Sequence, residues 1–255
     1  MNTIEALILG VVQGVTEFLP ISSTAHLRIV PALAGWTDPG AAFTAVLQLG
    51  TLAAVVGYFL PDLLRMLRAA VVAVTDRSRP PEPPARQLLY IVLGTLPVGI
   101  AGLVFKHAIE GSLRSLWVIS AALIVVAFAL VWAERSARHS RDFDDIRLRD
   151  AMIIGCAQAL ALGLRRDAAA RFSFLLGVPA IAAAGIFEIK PLLKAQNVSA
   201  APLAVGLLAA AGAGYLSIAW LLRFLRARTT QPFVIYRIAL GTLLIALLAS
   251  GKLLP

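Results

Sequence analysis

Residues 13–26, QGVTEFLPISSTAH, bring together an amide, a carboxylate, several hydroxyls and an imidazole. Gln13 and Glu17 lie four residues apart, so a helix would place them on one face. Such groups support phosphoryl chemistry: a hydroxyl can act as nucleophile or proton shuttle, a carboxylate as base or metal ligand, and an imidazole as proton carrier.

A helix break is predicted inside this stretch. Pro20 disfavours helical geometry at Leu19, so the first helix should end there. Ser22 and Ser23 are residue types that cap a second helix, which would hold His26 in its opening turn. Free N–H groups and the positive end of the helix dipole would make the break an anion site.

The surrounding chain has the composition of a membrane protein. It has 255 residues, of which 59% are hydrophobic and 15% charged, whereas soluble domains carry about 25% charged residues. Its net charge is +9, with the basic residues grouped between apolar runs. This grouping indicates loops that follow the positive-inside rule rather than nucleic-acid binding. One all-α polytopic membrane domain over residues 1–255 is predicted.

Six apolar runs are predicted to cross the bilayer. One is short and needs flanking charges that reach the interface, and the last is interrupted by Arg237, which is expected to do the same. The runs are Pro39 to Pro61, Gln87 to Phe105, Ser115 to Ala133, Phe172 to Phe187, Ala195 to Leu222 and Phe233 to Leu254.

Two further apolar segments are too short to cross and are predicted to be re-entrant. The first, at 6–27, is split by Glu17, and the second covers 151–164. Arginine-rich loops are predicted to be cytoplasmic, and they share one side only if the second segment dips in and returns. These loops are 62–86, 134–150 and 223–232.

The resulting order is a re-entrant segment, three spans, a second re-entrant segment and three spans. Halves of about 1–134 and 150–255 would then have opposite orientations, which is the inverted-repeat plan. GVVQG at 10–14 is faintly echoed by GCAQA at 155–159.

Each polar residue in 13–26 also has a structural interpretation. A lone histidine is usually a satisfied structural group, paired serines are usually caps, and a buried glutamate can pair with an arginine. Their clustering within a few residues, at a predicted helix break inside a membrane protein, favours function.

The run GVVQGVTEFLPISSTAHL closely resembles the first signature of the undecaprenyl-diphosphate phosphatases, the bacitracin-resistance family. That signature has Glu or Gln, three residues, Glu, and then FLP-x-SS-[ST]-[GA]-H. The resemblance spans nearly the whole chain, through PGAAFTAVLQLGTLAAVVGYF, GCAQALAL, DAAARFSFLLGVPAIAAAG and PFVIYRIALG in family order.

This resemblance implies hydrolysis of undecaprenyl diphosphate to undecaprenyl phosphate and phosphate. Such a reaction recycles the cell-wall carrier lipid at the outer face of the bacterial cytoplasmic membrane and confers bacitracin resistance. The matching positions imply catalytic roles for Glu17, Ser23 and His26, substrate binding by Gln13, Ser22, Thr24 and Arg28, and a Mg²⁺ or Ca²⁺ ion bound by Glu17 and Gln13.

The second family signature, PGxSRSGxT, which supplies an arginine to the phosphates, is missing between Leu162 and Gly163. Arg166 can be aligned with that arginine, but this alignment sacrifices the gapless match of RRDAAARFSFLLGVP to a later family block. The gapless match favours Arg166 as an interfacial arginine of the later block. Arg28 is the nearest candidate for a substitute cation, with an interfacial charge as the alternative.

Three functions therefore stay open: a phosphatase that uses another cation, a protein that binds or transports polyprenyl phosphates, and a folded but inert family member. The sequence also leaves open whether Ser23 or His26 is the nucleophile, which metal binds, which lipid chain length is preferred, and the oligomeric state.

Overall fold

The computed structural model describes residues 1–76, 78, 80–137, 140–156, 163–194 and 200–253. Within these ranges the regular structure is helical, apart from one isolated bridge between Arg141 and Leu164. The helices are α1 (Thr3–Phe18), α2 (Ser23–Ala34), α3 (Gly40–Tyr58), α4 (Leu60–Thr75), α5 (Pro83–Val104), α6 (Lys106–Glu110), α7 (Leu116–Ser136), α8 (Leu148–Cys156), α9 (Arg166–Lys194), α10 (Ala200–Ala227) and α11 (Gln231–Ala249).

Six of these helices are long and apolar enough to cross a membrane: α3, α5, α7, α9, α10 and α11. They correspond to the six predicted runs, with ends that differ by several residues. The prediction of an all-α polytopic membrane protein is confirmed.

The predicted loop at 62–86 is wrong in its first half, because α4 occupies much of it. Leu60, Leu64, Leu67 and Val71 follow one another at helical spacing and are exposed. Such a stripe on a helix with arginines is typical of a helix that lies in the membrane interface. The helix was not predicted because charged residues follow the apolar run that ends at Pro61, and the segment after it was therefore assigned to a loop.

The three arginine-rich segments meet at one end of the molecule, as predicted. Arg171 Nη2 of α9 donates to Asp62 Oδ2 of α4 at 2.5 Å. Glu134 of α7 accepts from Arg166 Nε at 2.6 Å and from the Thr230 hydroxyl, just before α11, at 3.0 Å. These contacts tie the ends of four helices together.

The second short segment begins and ends at that same end. Arg141 donates to the Asp150 carboxylate in the first turn of α8. Its backbone N–H donates to the Gly163 carbonyl at 3.1 Å, and its carbonyl accepts from Arg165 at 2.8 Å. The two ends of this segment therefore lie together, whereas residues 157–162, including most of GCAQALAL, lie outside the described residues, so the re-entrant path stays a prediction.

The helix pairs repeat between the two halves. The α1–α2 hairpin corresponds to α8, α3 to α9, α5 to α10, and α7 to α11. In the structure α1 and α3 pack on α10, and their counterparts α8 and α9 pack on α5. Two pairs of corresponding helices also pack against each other: α3 on α9, and α7 on α11. This exchange of partners is the arrangement expected of an inverted repeat.

Helix α1 lies unusually close to α10 because glycines line the contact. A Cβ atom at Gly10 would stand 2.3 Å from the Gly206 carbonyl oxygen, and one at Gly14 would stand 2.6 Å from that of Ala210. Small residues permit this approach in membrane helices. The contact fixes the face of α1 that carries Gln13 and Glu17.

Gly14→Ala should lower the melting temperature in detergent, because the new methyl group meets backbone rather than a movable side chain. Overpacking of this kind costs about 1–3 kcal/mol. The matched control is Gly212→Ala on α10, where a Cβ meets nothing within 4 Å. There the alanine should be neutral or stabilising by up to about 1 kcal/mol, and equal melting temperatures for the two variants would contradict the close packing.

Candidate active site

The hairpin of α1 and α2 is broken where the sequence predicts it. Helix α1 ends at Phe18, and Leu19 is extended with φ −70° and ψ 138°. Ser22 caps α2, with its side-chain oxygen 3.4 Å from the Ala25 N–H. Ser22 also has φ +75°, a left-handed value that no other non-glycine residue in the described ranges adopts.

Glu17 is the centre of the polar cluster at the break. Its Oε2 accepts from Gln13 Nε2 at 2.8 Å and from the Ser23 hydroxyl at 2.5 Å. No described group donates to its Oε1. The shared helix face of Gln13 and Glu17 is thus confirmed, and the cluster joins both arms of the hairpin.

Ser23 is the first residue of α2. The N–H groups of the first helical residues have no partner within a helix, and they carry its positive dipole end. Ser23 and Thr24 therefore present backbone donors beside the Glu17 carboxylate. A phosphate oxygen is the kind of group that such donors bind.

His26 lies in the opening turn of α2, as predicted, but both of its ring nitrogens are engaged by protein groups. Nδ1 is 2.7 Å from the Ser22 carbonyl oxygen, and Nε2 is 2.7 Å from the Tyr236 hydroxyl. A carbonyl can only accept, so Nδ1 carries the proton. The Tyr236 ring stacks on His26 at 5.6 Å with an interplanar angle of 10°.

Arg237 does not reach the membrane interface, and that prediction is wrong. Its side chain is turned inward and only 6% of the residue is exposed. Nε donates to the Leu123 carbonyl at 3.1 Å, and Nη1 donates to the Pro20 carbonyl at the helix break, also at 3.1 Å. The turned-in guanidinium thereby supplies the donor that the Pro20 carbonyl needs at the helix break.

The break lies deep between the two membrane faces. Arg237 lies about 9 Å from the start of α11, which is at the arginine-rich end of the molecule. Leu123 lies about 10 Å from the start of α7, which is at the opposite end. A bilayer core is about 30 Å thick. The hairpin tip is therefore shielded by protein on the α7 and α11 side, where Ala25, Ile29, Leu123 and Leu244 pack together.

The two arginines considered as substitutes for the missing one are held elsewhere. Arg28 Nε lies 3.6 Å from Asp38 Oδ2, and the same carboxylate accepts from Arg114 Nη2 at 2.7 and 3.0 Å. Arg166 pairs with Glu134 at the arginine-rich end. The structure therefore agrees with the interpretation of Arg166 as an interfacial residue.

A divalent cation has oxygen ligands available at the cluster. Gln13 is 0% exposed, and its Oε1 has no hydrogen-bond partner. A half-turn of this amide would set Oε1 beside Glu17, which fits a hard cation that prefers oxygen. In the described part of the chain, no three His, Cys, Asp or Glu side chains are grouped to hold a metal, so other ligands would have to come from phosphate and water.

Sequence reasoning missed Tyr236 and misplaced Arg237. A signal was present, because an arginine inside an apolar span is an intramembrane charge, which is usually functional. The pairing of α11 with a hairpin more than 200 residues earlier was not visible in the sequence.

The fold and the cluster define a multi-pass membrane protein with a broken re-entrant hairpin suited to an anion. The chain belongs to the family of the bacitracin resistance protein BacA, whose sequence model matches residues 6–243.

Curated relatives extend this match over the whole chain. The protein named undecaprenyl-diphosphatase in Myxococcus xanthus is 51% identical, with 100% of this chain and 92% of the relative covered. Proteins of the same name in Synechococcus elongatus and Chloroherpeton thalassium are 47% and 44% identical, with 98% and 99% of this chain and 94% and 99% of the relatives covered. The M. xanthus alignment runs over 273 positions, against 255 residues here, as expected of a chain that has lost an internal segment.

Arg237→Met should loosen the hairpin. The carbonyls of Ala122 and Leu123 lie inside α7 and keep their helical hydrogen bonds. The Pro20 carbonyl, by contrast, loses the hydrogen bond from Arg237 Nη1. A buried acceptor without a partner costs about 1–3 kcal/mol, so the melting temperature in detergent should fall.

The control is Arg223→Met, since Arg223 is exposed on α10. Equal melting temperatures for the two methionine variants would show that Arg237 does not hold the break.

Proposed function

We propose that this protein hydrolyses undecaprenyl diphosphate to undecaprenyl phosphate and inorganic phosphate. The observation that supports it most is the 2.5 Å hydrogen bond from the Ser23 hydroxyl to Glu17 Oε2 at the first turn of α2. It pairs a nucleophile with a base beside an anion-binding helix end. The names of the M. xanthus and S. elongatus relatives agree with this substrate.

In the first step Ser23 Oγ attacks the terminal phosphorus while Glu17 takes its proton. A bond forms between Oγ and phosphorus, and the bond from phosphorus to the bridging oxygen breaks. The electron pair stays on that oxygen and leaves as undecaprenyl phosphate. The second pKa of a phosphate monoester is about 6, so this group leaves at neutral pH without needing a proton.

In the second step water attacks the phosphoserine. The bond between Oγ and phosphorus breaks, and protonated Glu17 returns its proton to Oγ. The product is dihydrogen phosphate, and Ser23 and the Glu17 carboxylate are restored. One carboxylate thus serves as base and then as acid, as microscopic reversibility requires.

His26 has a positioning role in this mechanism rather than that of the nucleophile. Its Nδ1 proton is bound by Ser22 and its Nε2 faces Tyr236, so neither nitrogen is free to attack phosphorus. Ser23, by contrast, is bonded to a base. The structure therefore favours Ser23 between the two nucleophiles that the sequence left open.

Arg237 is the cation that supports the site in place of the missing arginine. Its contacts among the described residues are backbone carbonyls and include no carboxylate, so its charge is not neutralised there. Gln13 and Glu17 would hold Mg²⁺ or Ca²⁺, which supplies further positive charge to the phosphates when bound. Gln13, Ser22 and Thr24 are proposed to line the phosphate site, whereas Arg28 is held by Asp38.

The site is proposed to open to the outer face of the bacterial cytoplasmic membrane. The arginine-rich end would be cytoplasmic by the positive-inside rule. Both α1 and α2 reach the opposite end, where Arg28 meets Asp38 and Arg114 just before α3 and α7. Substrate would therefore enter the hairpin from outside, where the carrier lipid is recycled for cell-wall synthesis.

Ser23→Ala should abolish phosphate release from undecaprenyl diphosphate by the purified protein in detergent with Mg²⁺. Loss of a nucleophile lowers kcat by about 10³-fold or more. Glu17→Gln, which keeps the shape but not the base, should cost about 10²- to 10⁴-fold.

Ser250→Ala is the matched control, because this exposed hydroxyl lies at the end of α11 and contacts only its own helix end. Unchanged release from Ser23→Ala would refute the mechanism. Tight binding of the lipid by the unsubstituted protein without any release would instead favour a binding or transport function.

A further inference from the structure

Ser22 is held in a conformation that a non-glycine residue avoids. Its φ of +75° is of a kind that costs about 1–3 kcal/mol and persists only where the surroundings enforce it. This conformation turns the chain so that the next residue, Ser23, starts α2 with its hydroxyl on Glu17. Whatever holds Ser22 therefore also aims the proposed nucleophile.

The contact that holds Ser22 comes from His26. The Ser22 carbonyl accepts from the ring Nδ1 of His26 at 2.7 Å and from its backbone N–H at 3.3 Å. The ring contact is attractive only while Nδ1 carries the proton. With the proton on Nε2, an Nδ1 lone pair would face a carbonyl lone pair, and the contact would repel.

Tyr236 supplies the donor that Nε2 of His26 needs in the Nδ1-protonated form. Its hydroxyl lies 2.7 Å from Nε2, and in a neutral imidazole one nitrogen donates while the other accepts. A tyrosine O–H that donates to Nε2 leaves the proton on Nδ1. The stacked ring fixes the plane of the imidazole, so α11 supports both the orientation of His26 and the tautomer that the Ser22 carbonyl requires.

We propose that Tyr236 is a positioning residue for the reaction, which acts by fixing the Nδ1-protonated form of His26 and thereby the strained Ser22 that aims Ser23 at Glu17. The inference rests on the proposed function for its catalytic consequence. Its structural part, the protonation state of His26, stands independently of any activity.

The test is ¹⁵N NMR of the full chain in detergent with labelled histidine. The chain has three histidines, so the His26 signals can be assigned by comparison with His26→Gln. Chemical shifts report which ring nitrogen is protonated. The expected result at neutral or slightly alkaline pH is a protonated Nδ1 in the unsubstituted protein and a mixture of tautomers in Tyr236→Phe.

The same variants are then compared in phosphate release. Tyr236→Phe keeps the ring and removes only the O–H, and we expect a loss of about 10- to 100-fold in activity, the size found for partners that orient metal-bound histidines. We expect this loss in kcat rather than in KM. Tyr215→Phe is the control, because Tyr215 contacts the Tyr58 ring and has no hydrogen bond to the hairpin.

An Nε2-protonated His26 in the unsubstituted protein overturns the proposal, as does Tyr236→Phe with an unchanged tautomer and unchanged kcat. If His26 shows the expected tautomer but the unsubstituted protein releases no phosphate, the proposed function fails while the arrangement of Tyr236, His26 and Ser22 holds.

Discussion

A helix that breaks inside a bilayer leaves backbone N–H and carbonyl groups that lipid cannot satisfy. The break at Pro20 is the constraint on which the rest of this structure depends. Its carbonyl is bound by Arg237, the Ser22 carbonyl by His26, and the first amide groups of α2 stay free for an anion. The side chains of Arg237 and His26 thus supply the hydrogen-bond donors that the broken helix lacks.

Adjacent residues of α11 support the two arms separately. Arg237 holds the α1 side of the break at Pro20, and Tyr236 holds the α2 side through His26. Glu17 joins the arms through Ser23. Since α1 itself is fixed against α10 by glycine contacts, the cluster is held by two long helices, α10 and α11, which suits a site that must keep its geometry.

The two halves of the inverted repeat are no longer equal. The first half has a complete hairpin, whereas its counterpart in the second half must fit between Leu148 and Gly163 and lacks the PGxSRSGxT signature of the family. Arg237 brings positive charge to the hairpin tip through its contact with the Pro20 carbonyl, and a cation held by Gln13 and Glu17 is proposed to add to it. The hairpin site is therefore the chemical centre that the chain retains.

Much of this arrangement was predictable from local sequence. Pro20, the serine caps and the spacing of Gln13 and Glu17 predict the break and its polar face, and the six spans follow from apolar length. The inward turn of Arg237 was not predictable, because an arginine near the end of a span can reach the interface or a buried carbonyl equally well. The choice depends on long-range packing of α11 against α7 and the hairpin. Helix α4 was missed because length and charge alone do not reveal an interfacial helix.

The central claim is that the hairpin held by α11 is sufficient for chemistry without the second signature. The most direct measurement is phosphate release from undecaprenyl diphosphate by three proteins: this chain, its Glu17→Ala variant, and a chain with the extra segment of the M. xanthus relative inserted between Leu162 and Gly163.

Phosphate release by this chain is expected to exceed that of Glu17→Ala clearly, and the inserted segment is expected to increase a rate that already exists. A chain that equals Glu17→Ala while the restored chain is active would contradict the account, since the second signature would then be indispensable.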